Sequence, residues 1–353
     1  MSLGSAAPRR ILVTGGAGYV GSVLSRALLA CGYHVRVLDS LLYGGEALLG
    51  LYAEDRFEFV YGDVRSAAVV GSALDGMEAV VHLAALVGDP VCSLEPALAR
   101  EVNLDASLQL LELSRRHGVR RFLFASTCSN YGRMADSSSY LTEDSGLRPV
   151  SLYAQTKVGF EQALLASGHA GPVAGVLRFA TVFGLSPRMR FDLTVNEFAL
   201  ELATRRRLTI YGEQFWRPYI HVRDAAEAIR LALEAPEAAI RGQAFNVGDT
   251  SQNYQKGALA ELVRAQVGDG CRIERVHKTE DPRDYRVRFD KIADALGFRI
   301  TRTVEDGVRE VLGALSQGVI RDVEHPRYSN EKALRAQAAA APRPQAPEIA
   351  AVP

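Results

Sequence analysis

The sequence predicts an α/β fold in which a doubly wound parallel sheet carries a smaller C-terminal α/β substrate-binding region. Short β-branched and aromatic runs alternate with helical patterns from residue 10 to about residue 180, and strand–helix–strand repetition builds parallel sheets. A glycine-rich segment, TGGAGYVG at 14–21, follows the first run and opens a helical pattern, which makes the sheet Rossmann-type. Beyond Gly184 the pattern changes to helices with short isolated strands. That second region is expected over the strand ends, where open α/β sheets bind ligands.

Taken in order, strands are predicted at 11–14, 34–39, 57–61, 79–83, 121–126 and 173–179. A long amphipathic helix is predicted over 94–117, ending in Arg115, Arg116 and His117 before Gly118, with cations in the last turn and glycine just after it. Further strands are expected at 208–211 and 244–247, and Arg205 to Arg207 read as the basic end of a helix. The chain divides into a dinucleotide-binding domain at 8–184, a substrate-binding region at 185–325 with segments returning to the first domain, and a disordered tail at 326–353. The tail reading rests on its last stretch, which is mostly Ala and Pro and too poor in large apolar groups to pack.

Composition narrows the function classes. Lys+Arg and Asp+Glu both number 41 in 353 residues, and no basic stripe points to nucleic acid, so a small-molecule partner is expected. Cys31, Cys92, Cys128 and Cys271 form no C-x-x-C pair, which fits reduced thiols in the cytoplasm and no metal site. The N-terminus lacks an apolar signal core, and no apolar run is long enough to span a bilayer.

Gly15, Gly18 and Gly21 let the backbone turn tightly and approach a pyrophosphate at a helix N-terminus. Asp39 closes the second strand 24 residues after Gly15, where a carboxylate accepts the adenosine ribose hydroxyls and repels a 2′-phosphate, favouring NAD over NADP. Arg36 and Arg65 near this end could accommodate a phosphate, but Arg36 is better read as an exposed strand residue. Asp63 and Val64 are placed to hold the adenine edge; Asp63 is equally well read as a helix N-cap. Leu83, Ala84 and Ala85 end the fourth strand with residues small enough for close cofactor approach, or for a simple tight turn. Tyr153 and Lys157, in YAQTK, are four apart on one helical face, where a cation can lower a phenol pKa toward general-base use.

TGGAGYVG, LD, GDV, HLAA, VNL, STxxxYG, YxxxK and RPYIHVxD follow one another across about residues 10–225. In this the chain resembles the extended short-chain dehydrogenase/reductase family, in its NAD-dependent nucleotide-sugar epimerase/dehydratase branch. The resemblance implies that Tyr153 is general base and acid, that Lys157 binds the nicotinamide ribose and lowers the tyrosine pKa, and that Thr127 bonds the reacting sugar oxygen. It implies NAD contacts at Gly15, Gly18, Tyr19, Val20, Asp39, Asp63, Val64, Leu83, Ala84, Ala85, Asn103, Tyr153 and Lys157. It also implies substrate contacts at Asn196, Arg217 and Arg283, with Arg188 and Arg190 as further groups able to face an anionic substrate. His221 reads as a buried hydrogen-bonding residue.

Relatives that eliminate water place Asp-Glu directly after the threonine; here Cys128 and Ser129 stand there. The leading expectation is therefore epimerisation of a nucleotide-sugar, at C4, through a transient keto-sugar. The alternatives are an NAD(P)H-dependent ketoreductase of a nucleotide 4-keto-deoxysugar and a non-catalytic NAD-sensing protein. Cys128 reads as a small wall residue. The resemblance further implies a homodimer formed by the helices at 94–117 and 152–166.

Overall fold

The computed structural model describes residues 9–134, 139–168, 171–281 and 283–339. The first half of the chain runs β1 (Arg10–Thr14), α1 (Tyr19–Ala30), β2 (His34–Asp39), β3 (Phe57–Tyr61), α2 (Ala67–Leu74), β4 (Ala79–His82), α3 (Asp89–Leu94), α4 (Pro96–Arg100), α5 (Ala106–Arg116), β5 (Arg121–Thr127), α6 (Leu152–Ala166) and β6 (Val173–Phe179). The second half runs β7 (Thr181–Phe183), α7 (Thr194–Arg205), β8 (Arg207–Tyr211), β9 (Trp216–His221), α8 (Val222–Glu234), α9 (Glu237–Ile240), β10 (Gln243–Val247), β11 (Asn253–Gln255), α10 (Lys256–Val267), β12 (Arg272–Val276), α11 (Asp290–Leu296), α12 (Val304–Ser316) and α13 (Asn330–Ala339).

Seven strands form one sheet in the order β10-β6-β5-β4-β1-β2-β3, and all its pairings are parallel. Every residue of β4 and β6 is buried, because helices cover both faces and the central strands read as continuous apolar runs. One core layer joins the sheet to α1 and α8 through Leu24, Leu28, Ile229 and Leu233. The other joins it to α2, α5 and α6 through Val70, Leu110 and Phe160. The strand order reverses at β1, whose neighbours are β2 and β4; Thr14 lies level with Leu38 and His82. A crevice opens at such a switch point.

The helix expected over 94–117 is interrupted. Pro96 starts α4 because its ring cannot continue the preceding turn. A π turn at Glu101–Asp105 then precedes α5. The irregular turn presents Asn103, 1% exposed, whose Oδ1 accepts the Leu86 N–H at 2.8 Å and whose Nδ2 donates to the Leu86 carbonyl at 3.0 Å.

The second region has its own apolar cluster, built from Val195, Phe198, Leu259, Val263, Val304 and Val308 of α7, α10 and α12. Two small sheets, β11-β9-β7 and β12-β8, flank it. Two segments beyond residue 184 pack on the large sheet and its helices: α8 packs on α1, and β10 forms the sheet edge beside β6. His221 is fully buried and shares a hydrogen bond with Glu310. The expected disordered tail is corrected for residues 326–339. A short 3-10 turn at Pro326–Tyr328 leads into α13, and Leu334 is buried with Leu86, Val91, Cys92 and Ala99. Tyr328 packs against the apolar cluster of the second region and Leu334 against that of α3 and α4, so two large apolar groups suffice to dock the segment. Residues 340–353 of that expected tail lie outside the described residues.

Candidate active site

A single cavity runs across the C-terminal ends of β1, β2, β4, β5 and β6. One end is the glycine loop. Gly15 has φ +76°, a left-handed backbone, and a Cβ there would lie 2.7 Å from the Ala84 nitrogen. A Cβ on Gly21 would lie 2.2 Å from the Gly15 carbonyl oxygen, so the loop can fold back on α1 only with glycine at that position. Among the described residues no side chain caps Gly18 at the start of α1, leaving first-turn N–H groups for a ligand.

Asp39 ends β2 and is locked in place, its two oxygens accepting the N–H groups of Ala17 at 3.0 Å and Leu41 at 2.8 Å. Burial pushes its pKa up. Asp63, Val64, Leu83, Ala84 and Ala85 all line the cavity with Asp39, Tyr19 and Val20. Asp63 is not a helix cap: Ser66 accepts the Val69 N–H at the start of α2, while Asp63 accepts from Arg65. Arg36 turns away from the cavity, to Glu58 and to the carbonyls of Ala73 and Asp75.

The other end holds Thr127, Tyr153 and Lys157. Thr127 is the last residue of β5, and α6 is capped by Ser151, whose Oγ accepts the Ala154 N–H and donates to Asp89 at 2.6 Å. Tyr153 therefore sits in the first helical turn and Lys157 one turn later on the same face. Lys157 Nζ donates to the Ala125 carbonyl at 2.9 Å and lies 6.0 Å from the Tyr153 ring centroid. Burial pushes the Lys157 pKa down to about 8, and pushes that of Tyr153 up against the opposing charge of Arg190. Thr127 Oγ1 lies 2.9 Å from Ser129 Oγ. Behind the threonine, Ser126 donates to Glu161 at 2.7 Å, and Glu161 forms a buried ion pair with Arg178. Cys128 is fully buried and donates to the Arg178 carbonyl, outside the cavity lining.

The expected substrate residues do not gather around Tyr153. Asn196 is fully buried, and its amide is consumed in the fold. It accepts from the Gly184 N–H and donates to the Arg190 carbonyl and the Tyr19 hydroxyl. Arg217 pairs with Asp281, which Lys256 also reaches, and Arg283 pairs with Asp89; none of the three expected residues lines the cavity. Arg188, Arg190, Tyr43 and Asn330 do. The spacing of Arg188 and Arg190 beside Pro187 and Met189 was a usable signal for the first two. Ser329 before Asn330 and Glu331 was a helix-start signal for the last, hidden by the alanine-rich stretch after it. Among the described residues no group of three or more His, Cys, Asp or Glu could hold a metal ion, and no helix is long and apolar enough to cross a membrane.

A reversal point in a parallel sheet, a glycine turn that excludes side chains and a Tyr–Lys pair facing it across one cavity define an extended short-chain dehydrogenase/reductase fold. The chain belongs to the NAD-dependent epimerase/dehydratase family, whose pattern matches residues 11–248. It is 30% identical over 306 residues to a UDP-glucose 4-epimerase of Corynebacterium glutamicum, covering 82% of this chain and 90% of that one. It is 31% identical to a dTDP-glucose 4,6-dehydratase of an Actinoplanes species, covering 86% and 96%. The crystal structure of Thermus thermophilus UDP-glucose 4-epimerase in complex with NAD superposes with a TM-score of 0.75 at 29% identity, covering 87% of this chain and 99% of that one.

The cofactor is NAD, and the residues present fit it. The glycine cradle leaves room that a Cβ at Gly15 or Gly21 would fill, and Asp39 is placed as a ribose acceptor at the end of β2.

Proposed function

We propose that the enzyme epimerises a nucleotide-activated sugar, most simply at C4. The observation that carries this is the meeting of Thr127, Tyr153 and Lys157 in the NAD cavity, while the two residues after Thr127 supply no carboxylate for eliminating water. Tyr153, as phenolate, takes the proton of a sugar hydroxyl that Thr127 Oγ1 holds by hydrogen bonding. NAD, which the glycine loop and Asp39 would hold in this cavity, would supply the redox chemistry, hydride transfer at the sugar carbon and back. Tyr153 then gives the proton back. Arg190 offsets part of the rise that burial imposes on the phenol, and Lys157, charged at neutral pH with its pKa near 8, stands one helical turn from Tyr153 on the same face.

Net hydride transfer is zero in this cycle, so no cofactor is consumed. The test is the dinucleotide released on denaturing freshly purified protein, together with turnover of UDP- and dTDP-hexoses without added NADH. Near-stoichiometric NAD and redox-neutral interconversion of two sugars are expected. An empty protein that consumes NADPH with a 4-keto-sugar would replace this reading with a ketoreductase. A Tyr153→Phe variant should bind NAD as before and lose turnover by about 10²–10⁴-fold; full turnover would remove Tyr153 from the mechanism. By the same resemblance we propose a homodimer joined through the segments at 94–117 and 152–166, which sedimentation of the purified chain tests, and from its unpaired cysteines we place the enzyme in the cytoplasm.

A further inference from the structure

We propose that Arg188 anchors the cofactor: its guanidinium clamps the diphosphate of NAD against the N-terminus of α1. This rests on the assignment of NAD to the cavity and adds a residue from the second region to it. Arg188 is 7% exposed, and among the described residues its Nε and Nη2 have no hydrogen-bond partner. A buried guanidinium without an acceptor is costly to keep, so the fold holds it for a ligand.

Its position selects the ligand. The guanidinium carbon lies 4.4 Å from the Tyr43 ring centroid, and the Tyr43 hydroxyl is also buried without a partner. The segment that carries Arg188 is fastened to the start of α1. Ser186 Oγ donates to the Tyr19 carbonyl at 2.7 Å, the Tyr19 hydroxyl donates to the Gly184 carbonyl at 2.6 Å, and the Arg188 N–H donates to Ser186 Oγ at 3.3 Å. Arg188 thus shares a cavity wall with Gly18, Tyr19, Asp39 and Tyr43. Both oxygens of Asp39 accept backbone N–H groups.

Arg190, two residues on, already has a bidentate partner in Asp192, at 2.8 and 3.0 Å. Arg188 has none, so only one of the two arginines offers a free fork. An uncapped helix start and a free guanidinium on one wall call for an anion with several oxygens, and the fork matches phosphate. Burial and the charge of Arg190 push the Arg188 pKa down to about 10, leaving it protonated at neutral pH. Arg217 and Arg283, the residues expected for the nucleotide-sugar, stand outside this cavity.

The test is titration calorimetry on the full chain after removal of bound dinucleotide, comparing the wild type with Arg188→Met and Arg188→Lys against NAD, ADP, adenosine and UDP. Arg188→Met should weaken NAD and ADP by about 10- to 100-fold and leave adenosine within about twofold. Arg188→Lys keeps the charge without the fork and should weaken both diphosphates by about fivefold; it decides the matter if the Met variant fails to fold. An equal loss for adenosine, or unchanged NAD affinity with weakened UDP, overturns the assignment. A wild type that binds no NAD overturns the cofactor reading and this one with it.

Discussion

Lys157→Met separates what the site needs from what the fold prefers. Lys157 is 3% exposed, and burial lowers its pKa from 10.5 to about 8. At about 1.4 kcal/mol per pKa unit, keeping the ammonium charged costs the folded state about 3 kcal/mol at pH 7. Methionine has similar length and no charge; it loses the 2.9 Å bond to the Ala125 carbonyl, worth about 1 kcal/mol. The Met variant should therefore be about 2 kcal/mol more stable than the wild type at pH 7 while kcat/KM falls by about 10²–10⁴-fold. The gap is full below pH 8. It closes and then reverses, leaving the wild type about 1 kcal/mol the more stable as the pH reaches 10.5 and above, because over that window the unfolded wild-type chain still binds the proton that the folded one has released, and wild-type stability climbs. Urea unfolding of both dinucleotide-free proteins from pH 7 to 10.5 measures this. A Met variant less stable at pH 7, or a gap that stays constant across the window, refutes the reasoning.

Gly21→Ala should abolish NAD binding and cost about 2 kcal/mol or more in stability, since its Cβ would meet the Gly15 carbonyl oxygen and the Gly16 Cα, both backbone; calorimetry and urea unfolding test it. Deleting residues 330–353 removes the buried Leu334 and the Asn330 N–H that donates to Asp192. It should cost about 2 kcal/mol and speed NAD release, read by displacement in stopped flow. Cys128→Ala should leave kcat within about twofold and cost about 1 kcal/mol, because the thiol is buried outside the cavity lining; a loss of several orders of magnitude would make Cys128 a catalytic group.

Much of the sheet was legible in the sequence. β2, β3 and β6 occupy the spans expected, since strands of a covered parallel sheet are apolar runs bounded by glycine and polar residues. The helix at 152–166 was equally plain, with Ser151 as its cap. The break at Pro96 and the π turn holding Asn103 were less so, because amphipathic spacing continues through both. The parallel pairing of β12 with β8 joins segments about 65 residues apart, a contact that no local pattern encodes. α13 was missed because alanine-rich composition says little about a helix stabilised by packing against distant residues such as Leu86 and Val91.

By itself, the sequence determined the features that depend on neighbours along the chain. The glycine turn follows from backbone sterics, Asp39 from its place at a strand end, and the shared face of Tyr153 and Lys157 from helical spacing. Only the tertiary structure decided which polar side chains are free to bind. Asn196 and Arg217 look like ligand contacts in sequence, yet buried partners occupy them. Arg188 looks no different from Arg190, yet Asp192 satisfies one and leaves the other open. A charged group's availability depends on which distant residues fold against it, and that is set by packing rather than by its neighbours in the chain.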